Sequence, residues 1–273
     1  MAQPIKEKGY TIPGLLTMAD TTDLPTIDVV VPMSHMWLMP YLKNCVRSVR
    51  WQDYPQFLVD VILCVMYSEN EDMSELAEFC RSSEITVVFR RLKDPAFNIS
   101  RAKNVAARHG SSKCVAFIDA DVVLHPMTFR LAAPFLLKGL SVVIPVGRMG
   151  QGPTSDIFEP ESIPMWEDLT KNAPFRRDGV GNVVLPRSTL ESLRGYDERF
   201  HGWGGPDTDL EKRHGIIGKP MVNLKDNGCK LAMHQHHKIT PTRESHFTQR
   251  NRVVLASSHD AVRNPGVWGD IAG

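Results

Sequence analysis

The chain has 273 residues, 42% of them hydrophobic, and a formal net charge of +1, so no global electrostatic pull toward nucleic acid or a membrane surface operates. Its five cysteines are odd in number and irregular in spacing, which excludes a disulfide framework and a zinc-ligand pattern and makes a reducing cytoplasm the simplest home. A chain of this length and composition can bury one substantial core.

The first 26 residues are polar and read as an N-terminal arm without the apolar core of a secretion signal. The remainder, 27–273, reads as a single domain with no internal repeat. Strands are predicted at Ile27–Val31, Val59–Val65, Thr86–Phe89, Val115–Ile118, Ser141–Ile144, Asn182–Leu185 and Leu231–His234. Helices are predicted at Pro40–Trp51, Met73–Ser82, Ile99–His109, Pro126–Leu137, Ser188–Leu193 and Asp207–His214. This alternation argues for an α/β fold with a mainly parallel, doubly wound sheet flanked by helices. The most apolar stretch, LAAPFLLKGLSVVIPV, is interrupted by Pro134, Lys138 and Pro145 before it reaches membrane-spanning length. A long polar, Pro-rich insert, GQGPTSDIFEPESIPMWEDLTKNAP, reads as a lid or binding loop carrying Trp166.

Two segments carry the chemistry. In CVAFIDADVVLHP, an apolar run leads into Asp119 and Asp121, which cannot stay unpaired in a dry core and therefore belong at a rim. Beyond the carboxyl end of a parallel strand, two such carboxylates can direct oxygens to a divalent cation and its phosphate ligands. The second segment, HGWGGPDTDLEKR, places Trp203, Gly204 and Gly205 before Asp207 and Asp209. The two aspartates also suit the first turn of a helix, where free amides and the dipole favour negative charge.

The FIDADV strand end, the RGYDE segment and the GWGGPDTD motif together resemble glycosyltransferases of the GT-A fold, with a DXD motif, a GGFDE-like segment and a GWGGEDxD motif in the same order. The resemblance runs from about Ile27 to about Leu255 and is strongest to the inverting β-1,4-galactosyltransferase and chondroitin-polymerase-like branches, of family 2 and family 7 type. IDVVVPMSHM matches their first strand, and NISRAKNVAARH matches their helix before the DXD strand, with Arg101, Lys103 and Asn104 in corresponding places.

The resemblance implies a nucleotide-sugar half over about 27–125, an acceptor half over about 140–240 and a basic tail over about 238–273, holding Lys238, Arg243, Arg250, Arg252 and Arg263. It implies a UDP-sugar donor bound by Pro32, Ser34, Glu69, Arg101, Asp119 and Asp121, with Asp94 as an alternative partner for the base. Metal ligation falls to Asp121 and His234, with Asp119 beside them and His236 or His237 as alternatives to His234. Mixed oxygen and imidazole ligation suits Mn²⁺, or else Mg²⁺. Asp207 matches the general base, Trp203, Gly204 and Gly205 the acceptor site, and Asp209 an acid that binds acceptor or supports the base.

One departure is Pro206, which stands where the family has Glu and removes that residue's side-chain contacts to the acceptor. The expected acceptor is therefore a glycan or other hydroxyl compound different from that of the best-known galactosyltransferases, with a modified base in viral DNA as the less favoured case. The sequence carries no recognisable targeting signal, so a soluble bacterial or viral enzyme is the expectation. A retaining transferase shares much of the pattern. A sugar nucleotidyltransferase would carry a glycine-rich loop after the first strand, which VPMSHMW lacks, and a silent binding module would have lost the acids.

Overall fold

The structure is a computed structural model, and it describes residues 23–67, 71–91, 97–149, 181–202, 204–224, 231–236, 245–257 and 259–269. A strand that is apolar on both faces needs cover on both, and all seven residues of β1 (Ile27–Met33) are buried. β2 (Val59–Tyr67) and β4 (Cys114–Phe117) flank it in parallel, and β3 (Thr86–Arg91) lies parallel outside β2. Beyond β4 the direction reverses. β8 (Val183–Pro186) is antiparallel to both β4 and β6 (Val142–Val143), and β9 (Val222–Asn223) completes the seven-stranded order β3-β2-β1-β4-β8-β6-β9.

The mainly parallel sheet expected from the strand and helix alternation is therefore present, with β8 as an antiparallel insertion. The predicted strand at 231–234 is formed but leaves the main sheet. As β10 (Ala232–His234) it lies between β5 (Val122–Leu124) and β7 (Val146–Arg148) in a three-stranded sheet of its own. Strands of two or three residues carry too little periodicity to be recognised alone.

Helices α1 (Met39–Arg50), α2 (Ser74–Ser82), α3 (Ile99–His109), α4 (Thr128–Leu137), α5 (Arg187–Leu193) and α6 (Pro206–Ile216) follow the predicted order, and α7 (Ser245–Ala256) is additional. Alternation along β1 feeds two cores. Ile27, Val29, Val31 and Met33 pack with Leu42, Cys45, Val46 and Val49 of α1, while Val30 packs with Ala102, Val105 and Ala106 of α3 and with Phe117. Among the described residues no helix is long and apolar enough to cross a membrane. The expected arm extends to 26, yet Leu24 is buried in the core and the Tyr54 hydroxyl donates to the Pro25 carbonyl at 2.6 Å, so the chain joins the body earlier.

The far end of the sheet from the acidic motifs is pinned by one buried ion pair. Asp28 on β1, almost wholly buried, accepts from the Ser112 amide at 3.0 Å and from the Arg187 guanidinium. Arg187 also donates to the Ser112 carbonyl at 2.6 Å and to the Ala107 carbonyl at 2.7 Å, joining β1, α3 and α5. Arg187→Met leaves Asp28 buried without its cation, and we expect a loss of about 3 kcal/mol of unfolding free energy, measured as a lower urea midpoint at unchanged slope.

Candidate active site

β4 ends at Phe117, and the chain turns through Ile118–Asp121 before β5, with the Val122 amide donating to the Asp119 carbonyl at 3.0 Å. Three neighbours hold this turn. The Asp119 amide donates to Asn182 Oδ1 at 3.0 Å, the Cys45 thiol lies 3.7 Å from the Asp119 carbonyl, and the Gln235 amide donates to the Asp121 carbonyl at 2.8 Å. Burial, reinforced by Asp121 and Asp119, pushes the Cys45 thiol well above its ordinary pKa and keeps it protonated.

The small sheet brings the histidine segment to this turn. His234 pairs in register with Val122, and its Nε2 lies 3.2 Å from Asp121 Oδ2. Gln235, fully buried beside it, accepts from Asn44 Nδ2 at 2.9 Å and donates to the Tyr41 carbonyl at 3.0 Å, fixing β10 against α1. His236 is exposed, and His237 lies outside the described residues. Among the described residues no group of three or more metal-ligating side chains is assembled, so the structure offers Asp121 and His234 as an adjacent pair.

Asp119 turns toward other partners. Its Oδ2 accepts from Asn182 Nδ2 at 3.3 Å, and its Oδ1 lies 4.0 Å from Lys103 Nζ. Lys103 comes from α3, is fully buried, and donates to Asp207 Oδ1 at 3.2 Å. Its ammonium also lies 3.4 Å from the Gly181 carbonyl and 4.8 Å from the centre of the Tyr196 ring. Burial alone would lower the pKa of this ammonium. The Asp207 carboxylate, followed by Tyr196 and Asp119, more than offsets it and holds the pKa above the ordinary lysine value.

The glycine turn before α6 explains how Asp207 reaches this place. Gly204 and Gly205 have φ of 88° and 108°, and a Cβ on Gly205 would meet Phe200 at 2.6 Å, so the second position accepts only glycine. Pro206 then opens the helix at a position that needs no amide donor, with Asp207 and Asp209 in the first turn. Asn251 of α7 secures the turn by donating to the carbonyls of His201 at 2.8 Å and Gly204 at 2.7 Å.

Asp209, matched to an acid that binds acceptor or supports the base, is buried, and its carboxylate accepts from Arg213 at 2.7 Å and Arg263 at 3.4 Å, because residues two apart on a helix point in different directions. Arg263, expected among the basic residues of the tail, is likewise inside, 3.4 Å from Asp197. Arg101 lies 3.8 Å from Glu198, Pro32 pairs with Cys64 at the end of β1, and Ser34 follows that strand half-buried. Glu69, Asp94, Trp166 and Trp203 lie outside the described residues.

Sequence reasoning assigned no role to Gly181, Asn182, Gln235 or Asn44, and none to Lys103 beyond its matching place. For Lys103 a signal existed: it shares the stripe Ser100, Lys103, Asn104, Ala107, all buried, where a helical period expects inward-facing residues. Gly181 matters by what it lacks. A Cβ there would lie 3.4 Å from Asp119 Oδ2 and 3.4 Å from Asp207 Oδ2, so both oxygens border the same space.

Burial raises the Asp119 carboxyl to about 6, with Lys103 and His234 working downward and Asp121 and Asp207 upward. Between about pH 4 and pH 6 the folded protein thus retains a proton that the unfolded chain has released, so stability falls as pH rises through that window. With chelator present, the thermal midpoint should drop from pH 5 to pH 7, and Asp119→Asn should flatten this dependence; an equal slope in the variant would assign it elsewhere.

Residues 28–188 match the family described as glycosyl transferase family 2, and residues 170–237 match the N-terminal domain of galactosyltransferase. Validoxylamine A glucosyltransferase of Streptomyces hygroscopicus subsp. limoneus is 24% identical over 98% of this chain and 65% of its own length. Hyaluronan synthase of Pasteurella multocida is 22% identical over 71% of this chain and 26% of its own. The chain thus spans less than two thirds of the length of these relatives. Among solved structures, GalNAc-T7 with UDP, GalNAc and Mn²⁺ superposes with a TM-score of 0.61 at 18% identity, covering 86% of this chain and 49% of that one. Staphylococcus aureus TarS 1-349 with UDP-GlcNAc gives 0.56 at 14%, covering 85% and 65%. The fold is that of GT-A glycosyltransferases, and with a family match over more than half its length the chain belongs to glycosyl transferase family 2.

Proposed function

We propose that this chain transfers a sugar from a nucleoside-diphosphate sugar, UDP-linked in the first instance, to a hydroxyl acceptor with inversion at the anomeric carbon. The observation that carries this reading is that Asp119 and Asp207, from two distant acidic motifs, turn their Oδ2 atoms to one space beside Gly181. One motif ends a central strand and the other opens a helix, so a donor held by the first is within reach of a base on the second.

In this reading Asp207 takes the proton of the acceptor hydroxyl while that oxygen attacks the anomeric carbon, and the bond to the diphosphate breaks with its electron pair on the leaving group. General-base help of this kind is worth about 100- to 10,000-fold in rate. Asp119, which accepts from Asn182, would meet the donor. Asp121 and His234 are adjacent and would hold a divalent cation, for which a carboxylate oxygen and an imidazole nitrogen suit Mn²⁺ as well as Mg²⁺. When bound, that cation neutralises the charge growing on the leaving diphosphate.

Support for the donor class comes from the structural relatives, solved in complex with UDP-GlcNAc, with UDP, GalNAc and Mn²⁺, and, for a mannosyltransferase of Pyrobaculum calidifontis, with GDP-Man and Mn²⁺. The acceptor is a glycan or another hydroxyl compound. Pro206 offers it no side-chain hydrogen bond, which separates this site from relatives with an acid at that position.

The test is a thermal-shift panel of UDP, GDP and their sugars with and without Mn²⁺, since a ligand that binds only the folded state raises its stability by mass action. We expect a metal-dependent shift with one base, and its absence with every nucleotide would sink the reading. His234→Ala should abolish the Mn²⁺ dependence of that shift, whereas His236→Ala should leave it. Asp207→Asn should keep the shift but lower sugar transfer by at least 100-fold; undiminished turnover would remove Asp207 from the base role.

A further inference from the structure

Lys103 has more to do than balance charge. Taking an ammonium out of water costs several kcal/mol, and apolar residues of similar volume commonly stabilise a fold as well as a buried ion pair does. Yet Lys103 is fully buried in a helix whose neighbouring inward positions are Ala102, Val105 and Ala106, and it ends among carboxylates rather than at a surface. Its contacts are selective at the atomic level. Nζ lies 3.2 Å from Oδ1 of Asp207 and 4.0 Å from Oδ1 of Asp119, while the Oδ2 atom of each residue borders the space left by Gly181.

We propose that Lys103 is a positioning residue that holds Asp207 by a hydrogen bond to Oδ1 and draws Asp119, itself held through Oδ2 by Asn182, by charge alone at 4.0 Å, so that the Oδ2 atoms of both acids border the reacting groups beside Gly181. The inference rests on the transferase reading above and deepens it. A carboxylate tethered by one oxygen keeps the lone pairs of the other in a fixed direction, which is what a base needs to meet a hydroxyl proton in line. The same ammonium sets the separation between the donor-side and acceptor-side acids. Gly181 completes the arrangement, because its carbonyl accepts from Lys103 at 3.4 Å while its missing side chain leaves room between the two Oδ2 atoms.

The experiment compares wild type, Lys103→Met, Asp207→Asn and the double variant. It measures UDP binding with Mn²⁺ by calorimetry and UDP release from UDP-glucose and UDP-N-acetylgalactosamine. Methionine keeps most of the length of the side chain without its charge. We expect Lys103→Met to bind UDP with Mn²⁺ within about 5-fold of wild type and to lose about 100-fold in kcat, the cost typical of a misplaced reacting group. We expect the double variant to lose no more than Asp207→Asn alone, since residues acting as one unit are not additive. Additive losses, or a Lys103→Met kcat within about 3-fold of wild type, would overturn the proposal. If Lys103→Met does not fold, judged by near-ultraviolet circular dichroism, Gly181→Ala decides. It leaves Lys103 in place and sets a methyl 3.4 Å from both Oδ2 atoms. A fall of about 10-fold in kcat with UDP binding retained supports the proposal, and full activity overturns it. Wild-type protein that binds neither UDP nor GDP defeats the transferase reading itself, a result distinct from normal binding with additive kinetics.

Discussion

Three aspartates converge on one end of a central sheet, and like charges so placed repel unless something of opposite sign is built among them. Lys103 supplies that charge on the side of Asp119 and Asp207, and His234 lies against Asp121. The burial of Lys103 gives its interactions strength, because the intervening medium screens them less than water does. Much of the surrounding architecture reads as a means of keeping this arrangement closed: Phe117 and Tyr196 pack edge to face beneath the ammonium at 5.0 Å between ring centres, and Asn104, the next residue on α3, binds the Tyr196 carbonyl at 2.9 Å.

The reversal of chain direction at β8 has a direct consequence for the site. An antiparallel strand beside β4 begins where β4 ends, so Gly181 and Asn182 arrive next to Asp119. A parallel strand there would have delivered its first residues to the opposite end of the sheet. The small sheet does the same for His234: β10 is antiparallel to β5, and the register sets the imidazole beside Asp121. Buried amides then lock each piece, Gln235 with Asn44 beside His234 and Asn251 on the glycine turn. Such groups carry little net stability each, but leaving one unpaired inside the protein costs the full desolvation penalty, which makes the alternatives unfavourable.

Helix α6 depends on a separate ionic web. Asp197 and Asp209 face Arg199, Arg213 and Arg263, and Arg213 also binds the carbonyls of Leu193 and Gly195 at 3.1 Å and 2.8 Å. This web ties the helix bearing Asp207 to the turn after α5 and to the C-terminal segment. Asp207 and Asp209 therefore divide the labour of one motif: the first meets the site, and the second anchors the helix that carries it.

The chain by itself determined the class of fold, the order of its main elements and the two acidic motifs, because continuous apolar runs and helical periods are local properties of the sequence. FIDADV announced a strand end, and GGPDTDLEKR announced a helix start. What only the tertiary structure decided was which side chains face one another. The family resemblance set Asp207 apart from Asp209, but only the packed helix shows the first against Lys103 and the second against Arg213. His234 stood ahead of His236 and His237 in the sequence, but it is pairing in a sheet of three short strands that brings it to Asp121 and leaves His236 exposed. Lys103, Gly181 and Asn182 carry no motif strong enough to earn a role, since their meaning lies in contacts across more than sixty residues of chain that form only when the sheet closes.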